Sequence, residues 1–146
     1  MKKIIIINGP NLNLLGNRES SIYGDASLED IEEKSKVKCK ELNLQLFFCQ
    51  SNNEGELINL IHSAESKYDG LIINPAAFTH TSVALLDALR AISKPKIEIH
   101  LSNIYKREDY RKKSITSEGV NGLICGFGSL SYILAIEAVN NLIKIN

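Results

Sequence analysis

The chain has 146 residues, 44% of them hydrophobic, with 17 Lys+Arg against 17 Asp+Glu and a net charge of +0. That balance gives no footing for a nucleic-acid or acidic-membrane partner. No apolar run approaches the ~18–20 residues of a membrane span, and Met1-Lys2-Lys3 leads straight into a short strand without a signal-peptide core. The three cysteines, Cys39, Cys49 and Cys125, lack CxxC spacing, which predicts reduced thiols in a cytoplasmic protein.

Strand and helix signals alternate along one domain, 1–146. The first strand is predicted over Lys3–Asn8, with Ile at positions 4 to 7. It runs into a Gly-rich loop carrying Asn8-Gly9-Pro10-Asn11-Leu12-Asn13-Leu14-Leu15-Gly16-Asn17-Arg18-Glu19-Ser20-Ser21-Ile22-Tyr23-Gly24. A loop of about fifteen residues with no regular structure of its own is uncommon in a compact domain and usually functional. It lacks Lys and a Ser/Thr-Gly cradle, so it does not read as a phosphate loop.

A helix follows over Leu28–Leu42, with Ser27 as N-cap and Asp30 closing an imperfect capping box. Then come a strand Leu44–Gln50, a helix Glu54–Lys67 and a strand Gly70–Asn74. The helix Ser82–Ile92 is apolar on most sides and predicts burial, by this chain or by another subunit, which makes Asp87 a misfit unless a ligand or neighbour pairs with it. A strand Lys96–Leu101, a strand Val120–Gly126 and a helix Leu130–Ile143 complete the chain. The strands are continuous apolar runs, as expected where both faces are covered. This is an α/β pattern with a five-stranded parallel sheet, and it favours the flavodoxin-like order 2-1-3-4-5 in a three-layer sandwich.

Such sheets bind ligands beyond the carboxyl ends of their strands. Those ends carry Asn8 to Asn11, Gln50 to Asn53, Asn74 to Ser82, His100 to Asn103, and Gly126 to Ser129. Two of the three histidines, His80 and His100, fall on this rim, while His62 is mid-helix and reads as a surface or packing residue. With no third His or Cys on the rim for zinc, the pair reads as acid/base or hydrogen-bonding groups. Tyr23 lies between the glycines 16 and 24, five residues from Arg18. Tyrosine ionises near pH 10 in isolation, and nearby cations favour the phenolate and make it a base. Arg107 and Arg111 could reach the same rim or form an ordinary charged turn. Gly126-Phe127-Gly128-Ser129 reads equally as a helix N-terminal anion site or as close packing. Cys125 reads as an inert buried thiol.

Taken together these segments resemble the type II 3-dehydroquinate dehydratase (3-dehydroquinase) family. The resemblance is carried by Asn8 to Gly16 with Arg18-Glu19 and Tyr23-Gly24, Gln50-Ser51-Asn52, Glu54 to Ile58, Ile73 to Ser82, Glu98, His100 to Ile104, Arg107-Glu108, Arg111, and Gly122 to Gly128. It implies reversible dehydration of 3-dehydroquinate to 3-dehydroshikimate in the shikimate pathway, through an enolate, with no metal or organic cofactor. By that likeness Tyr23 is the base at C2, Arg18 stabilises the phenolate, Asn11 helps hold the donor to the enolate oxygen, and His100 protonates the leaving C1 hydroxyl. Asn74, His80, Leu101, Ser102 and Arg111 are implied to bind substrate. A dodecamer of four trimers is also implied, with Asp87 reaching a neighbouring protomer's site. Ser20, Leu86, Tyr105 and Ser131 depart from the common family pattern. The alternative is a flavodoxin-like binding or regulatory domain, for which an acidic rim or a Ser/Thr-rich phosphate loop is expected after the first strand.

Overall fold

The computed structural model describes residues 1–17 and 19–145. Five strands, β1 (Lys2–Asn8), β2 (Leu44–Gln50), β3 (Gly70–Asn74), β4 (Lys96–His100) and β5 (Gly122–Cys125), form one sheet. The order is β2-β1-β3-β4-β5 and every neighbouring pair is parallel, as the sequence predicts. Six helices are described: α1 (Ser20–Tyr23), α2 (Leu28–Glu41), α3 (Glu54–Lys67), α4 (Val83–Ala91), α5 (Asp109–Lys112) and α6 (Leu130–Ile145).

Alternation within the strands divides the core. Ile4, Ile6, Ile72, Ile97 and Ile99 pack under α2 and α6 with Ile31, Cys39, Tyr132, Ile136 and Val139. Ile5, Ile7, Leu71 and Ile73 pack under α3 and α4 with Leu57, Ile61, Leu85 and Leu89. Each strand therefore needs apolar residues at successive positions, which explains the unbroken Ile run of β1.

The helix starts follow capping chemistry. Ser27 Oγ accepts from Asp30 N at 3.1 Å and Asp30 Oδ2 accepts from Ser27 N at 3.1 Å, so the capping box is complete. Asn53 and Ser82 cap α3 and α4 by accepting from Glu56 N at 3.0 Å and Leu85 N at 2.9 Å.

Several local expectations are corrected. The long first loop does have regular structure: a 3-10 turn at Leu12–Leu14 and the short helix α1. The fifth strand is shorter than predicted. Its start is fixed where Asn121 N and Oδ1 pair with Lys96 O and N, each at 2.8 Å, and its end where Gly126 turns at φ 97. Helix α4 buries Leu85, Leu86, Ala88 and Leu89, yet Val83 is 56% exposed and Asp87 and Arg90 also face solvent. Asp87 is thus no buried charge, because it occupies the outer face of an ordinary amphipathic helix. Cys125 is half-buried, since β5 is an edge strand. Cys39 and Cys49 are the desolvated thiols, and burial pushes each up to about 11.

Candidate active site

The register brings the strand ends level. Asn8 stands beside Gln50 on one side and Asn74 on the other, and His100 stands beside Cys125. This is the switch point between β1 and β3, where the chain leaves the sheet in opposite directions.

Packing at this point requires a glycine. A Cβ on Gly9 would lie 2.6 Å from Pro75 O, and Gly9 N donates to Asn74 O at 2.8 Å. Beyond it Asn11 takes a left-handed conformation at φ 69, which asparagine tolerates. Its backbone N donates to Asn52 Oδ1 at 3.0 Å. Gln50 Nε2 donates to Gly9 O at 3.1 Å and to the same Asn52 oxygen at 3.0 Å. The end of β2 thereby fixes the backbone at Asn11.

Beneath the rim, Tyr132 of α6 ties two asparagines together. Its hydroxyl donates to Asn8 Oδ1 at 2.6 Å and accepts from Asn74 Nδ2 at 3.1 Å. Burial holds the Tyr132 phenol well above the ordinary tyrosine range. Asn74 Oδ1 also accepts from Ala76 N at 3.1 Å, so this carboxamide is fixed from both ends.

A cavity opens above these residues. It is lined by Asn11, Tyr23, Asn74, His80, His100, Leu101, Ser102, Arg107 and Arg111, with Pro10, Leu12, Ala76, Ala77 and Ile104 as its apolar wall. Of the sequence-predicted set, Asn11, Tyr23, Asn74, His80, His100, Leu101, Ser102 and Arg111 come together here. Asp87 does not, because the outer face of α4 carries it away from this chain's cavity. Arg18 lies outside the described residues.

Arg107, which the sequence left between site and solvated turn, reaches inward. Its Nη1 and Nη2 each donate to Tyr23 Oη at 3.3 Å, and Nη1 also donates to Ser102 Oγ at 3.3 Å. The guanidinium carbon is 5.4 Å from the Tyr23 ring centroid. Arg111 is paired through Nε with Glu108 at 3.2 Å. The Arg107 guanidinium thus sets a positive charge against the phenol oxygen.

Each histidine has one ring nitrogen committed. His80 Nδ1 is 2.7 Å from Lys113 O. A carbonyl can only accept, so Nδ1 carries a proton and Nε2 is the ring nitrogen open to a ligand. His100 Nε2 is 2.7 Å from Glu98 Oε2, which leaves Nδ1 as the nitrogen open to a ligand.

Glu98 has no exposed surface and stands in the middle of β4. Thr79 Oγ1 donates to Oε2 at 2.7 Å, Ser114 Oγ to Oε2 at 3.0 Å, and Thr116 Oγ1 to Oε1 at 2.6 Å. Burial opposes the charge, but the hydrogen bonds and charge of His100, with those from Thr116 and Thr79, outweigh it and hold the carboxyl below the ordinary glutamate range. Its sequence signal is an acid inside an otherwise apolar strand, which by itself assigns no role.

Two other expectations resolve. The backbone N–H groups of Gly126, Phe127 and Gly128 donate to His100 O at 3.3 Å, Ser131 Oγ at 3.3 Å and Leu101 O at 3.0 Å. Two of them hold the β5–α6 turn against the end of β4 and the third ties it to α6, as close strand–helix packing requires. Ser131, one of the departures, serves this turn. Among the described residues no lysine lines the cavity. Lys96, whose ammonium is disfavoured by burial, stands at the opposite rim with Nζ donating to Ile92 O at 2.7 Å. A larger cavity of about 690 Å³ at that rim carries Lys2, Asp69, Asn140 and Lys144 and, among the described residues, no histidine or arginine.

The profile of the family described as "Dehydroquinase class II" matches residues 2–140. The chain belongs to that family. A 3-dehydroquinate dehydratase of Clostridium botulinum (strain Okra / Type B1) is 54% identical over 145 residues, covering 99% of each chain. One from Thermoanaerobacter pseudethanolicus is 53% identical and covers 95% of this chain and 94% of its own. The crystal structure of a type II dehydroquinase from Butyrivibrio crossotus superposes with a TM-score of 0.93 at 45% identity, covering 95% of this chain and 97% of that one. The fold of this dehydroquinase family member, a flavodoxin-like sandwich, is therefore shared along nearly the whole chain.

Proposed function

We propose that this chain catalyses the reversible dehydration of 3-dehydroquinate to 3-dehydroshikimate, a step of the shikimate pathway. The observation that carries the reading is one cavity holding both a phenol under a guanidinium and a histidine backed by a buried carboxylate. An elimination next to a ketone needs a base for the C–H proton and an acid for the leaving oxygen.

In the proposed mechanism Tyr23, as phenolate, takes the proton from C2. The C–H electron pair moves toward the ketone and the oxygen becomes an enolate. Asn11, whose backbone is fixed by Asn52, helps hold the donor to that oxygen. The enolate collapses, the C1–O bond breaks, and His100 gives its Nδ1 proton to the departing hydroxyl, which leaves as water. The enone product and one water account for every atom of the substrate. Arg107 supports the phenolate, together with Arg18 as the resemblance implies. Asn74, His80, Leu101, Ser102 and Arg111 bind substrate hydroxyls and the carboxylate, for which a guanidinium is the natural partner.

The absence of a lysine from the described cavity lining favours the enolate route over a lysine Schiff base, which needs a desolvated amine at the substrate. Twelve chains assembling as four trimers would bring the exposed Asp87 of α4 to a neighbouring protomer's site. The test is a colourless preparation given 3-dehydroquinate. Growth of an enone absorbance supports the reading, and a preparation that yields none refutes it.

A further inference from the structure

Thr79, Ser114, Thr116, Glu98 and His100 are joined by six contacts of 3.0 Å or less: Thr79–Glu98 2.7, Thr79–Ser114 2.6, Thr79–Thr116 2.7, Ser114–Glu98 3.0, Thr116–Glu98 2.6 and His100–Glu98 2.7 Å. With Glu98 ionised the cluster owns only four protons for them, one per hydroxyl and one on His100 Nε2. Several arrangements therefore share the same heavy atoms, and two of them mark the extremes. In one, all three hydroxyls donate to Glu98. In the other, Ser114 and Thr116 turn toward Thr79, and only Thr79 and His100 donate to the carboxylate. Rotation about two C–O bonds interconverts them.

The cluster is held in place from outside. Ile115 N donates to Thr79 O at 2.6 Å, and His80 Nδ1 donates to Lys113 O. Thr79 and Thr116 have no exposed surface, so water does not take over their role at the carboxylate. Among the described residues, the other titratable or charged groups facing the dyad's surroundings are Tyr23, His80, Arg107 and Arg111 in the cavity wall, Cys125 beside His100 on β5, and Lys113 and Glu118 flanking the Ser114–Thr116 segment. Those of α4, Asp87 and Arg90, point outward.

We infer that the hydroxyls of Thr79, Ser114 and Thr116 are an adjustable counter-charge for Glu98, turning onto the carboxylate as His100 gives up its proton and away as it regains one. This rests on the reading of His100 as the acid. When the Nδ1 proton passes to the departing hydroxyl, the ring becomes neutral and keeps Nε2–H on Glu98. The carboxylate then loses a positive partner 2.7 Å away. Three O–H dipoles stand ready to replace it without movement of a heavy atom, the kind of preorganisation that lowers the cost of charge rearrangement. Thr116 is the one described partner of Oε1, which makes it the most informative member. It acts through Glu98 and His100 and is a positioning residue.

The sign follows. Fewer donors leave the carboxylate less stable beside a neutral ring, so the imidazolium is favoured and His100 becomes a weaker acid. Thr116→Val should lower kcat about tenfold with KM within about twofold. The ring titration of His100, followed by NMR, should move to higher pH, and Thr116→Ser should restore both. Ser114→Ala should move the titration the same way and supplies the test should Thr116→Val not fold. A titration that stays put or moves to lower pH, in a folded variant, overturns the inference, even where thermal stability falls. The titration is read without turnover, so it is separate from the mechanism: His100→Gln retaining wild-type kcat would remove His100 as the acid and leave the NMR result to stand or fall alone.

Discussion

Arg107 places both terminal nitrogens 3.3 Å from the hydroxyl oxygen of Tyr23. The two residues are 84 positions apart in the chain, one on α1 and one just after β4. The closed rim of the sheet makes them neighbours, and the contact supplies a positive charge where the proposed base must become negative. Arg107→Ala should lower kcat about 10²-fold, in the range lost when one charge-stabilising donor is removed. Steady-state kinetics checks this, and a kcat within twofold of wild type would reduce Arg107 to a structural contact.

Tyr132→Phe removes the hydroxyl shared by Asn8 and Asn74. Two buried carboxamide atoms lose a partner, at a cost of about 1–3 kcal/mol in urea denaturation. Asn74 is also a proposed substrate contact, so KM should rise more than kcat falls. An unchanged KM would argue that Asn74 shapes the turn only.

Glu98 makes a pH-dependent contribution to stability. Its carboxyl titrates lower in the folded chain than an ordinary glutamate, so the stabilisation is fully present above the unfolded value and is lost as pH falls through the folded one. The urea midpoint of the wild type should drop as pH falls through and below the ordinary glutamate range, the window over which this stabilisation is lost. Glu98→Gln should be less stable near neutrality, and its deficit should shrink across that window. A deficit that is constant with pH would contradict an ionised Glu98.

The sheet was legible because a strand covered on both faces is apolar at successive positions; Ile4 to Ile7 and Leu71 to Ile73 satisfy that, and Ile97 and Ile99 do so on either side of the buried Glu98. The rim followed from topology, which put Asn11, Asn74 and His100 at strand ends. Side-chain reach did not follow. Arg107 and Arg111 have the same chemistry four residues apart, and only the turn after β4 decides which guanidinium meets Tyr23. The Ser114–Thr116 segment carried no motif, since its role depends on being clamped to Thr79. The amphipathic character of α4 is hidden in the sequence because Val83 and Ala84 share the solvent face with Asp87 and Arg90.

The assembly proposed from the family likeness is open to direct measurement. Light scattering at micromolar concentration should give a mass near twelve chains of 16.2 kDa. Val83→Asp, on the exposed face of α4 beside Asp87, should break it into smaller species if that face joins copies. A stable wild-type monomer would leave Asp87 with no site to serve.

The base is the centre of the account, and Tyr23→Phe tests it most directly. The substitution keeps the ring and removes the ionisable oxygen that Arg107 holds. Enone formation from 3-dehydroquinate is followed for wild type and variant alongside calorimetric binding of a substrate analogue. With Tyr23 as the base, kcat should fall at least about 10³-fold while analogue affinity stays within a few fold. A variant that binds the analogue and retains more than about a tenth of wild-type turnover would contradict it.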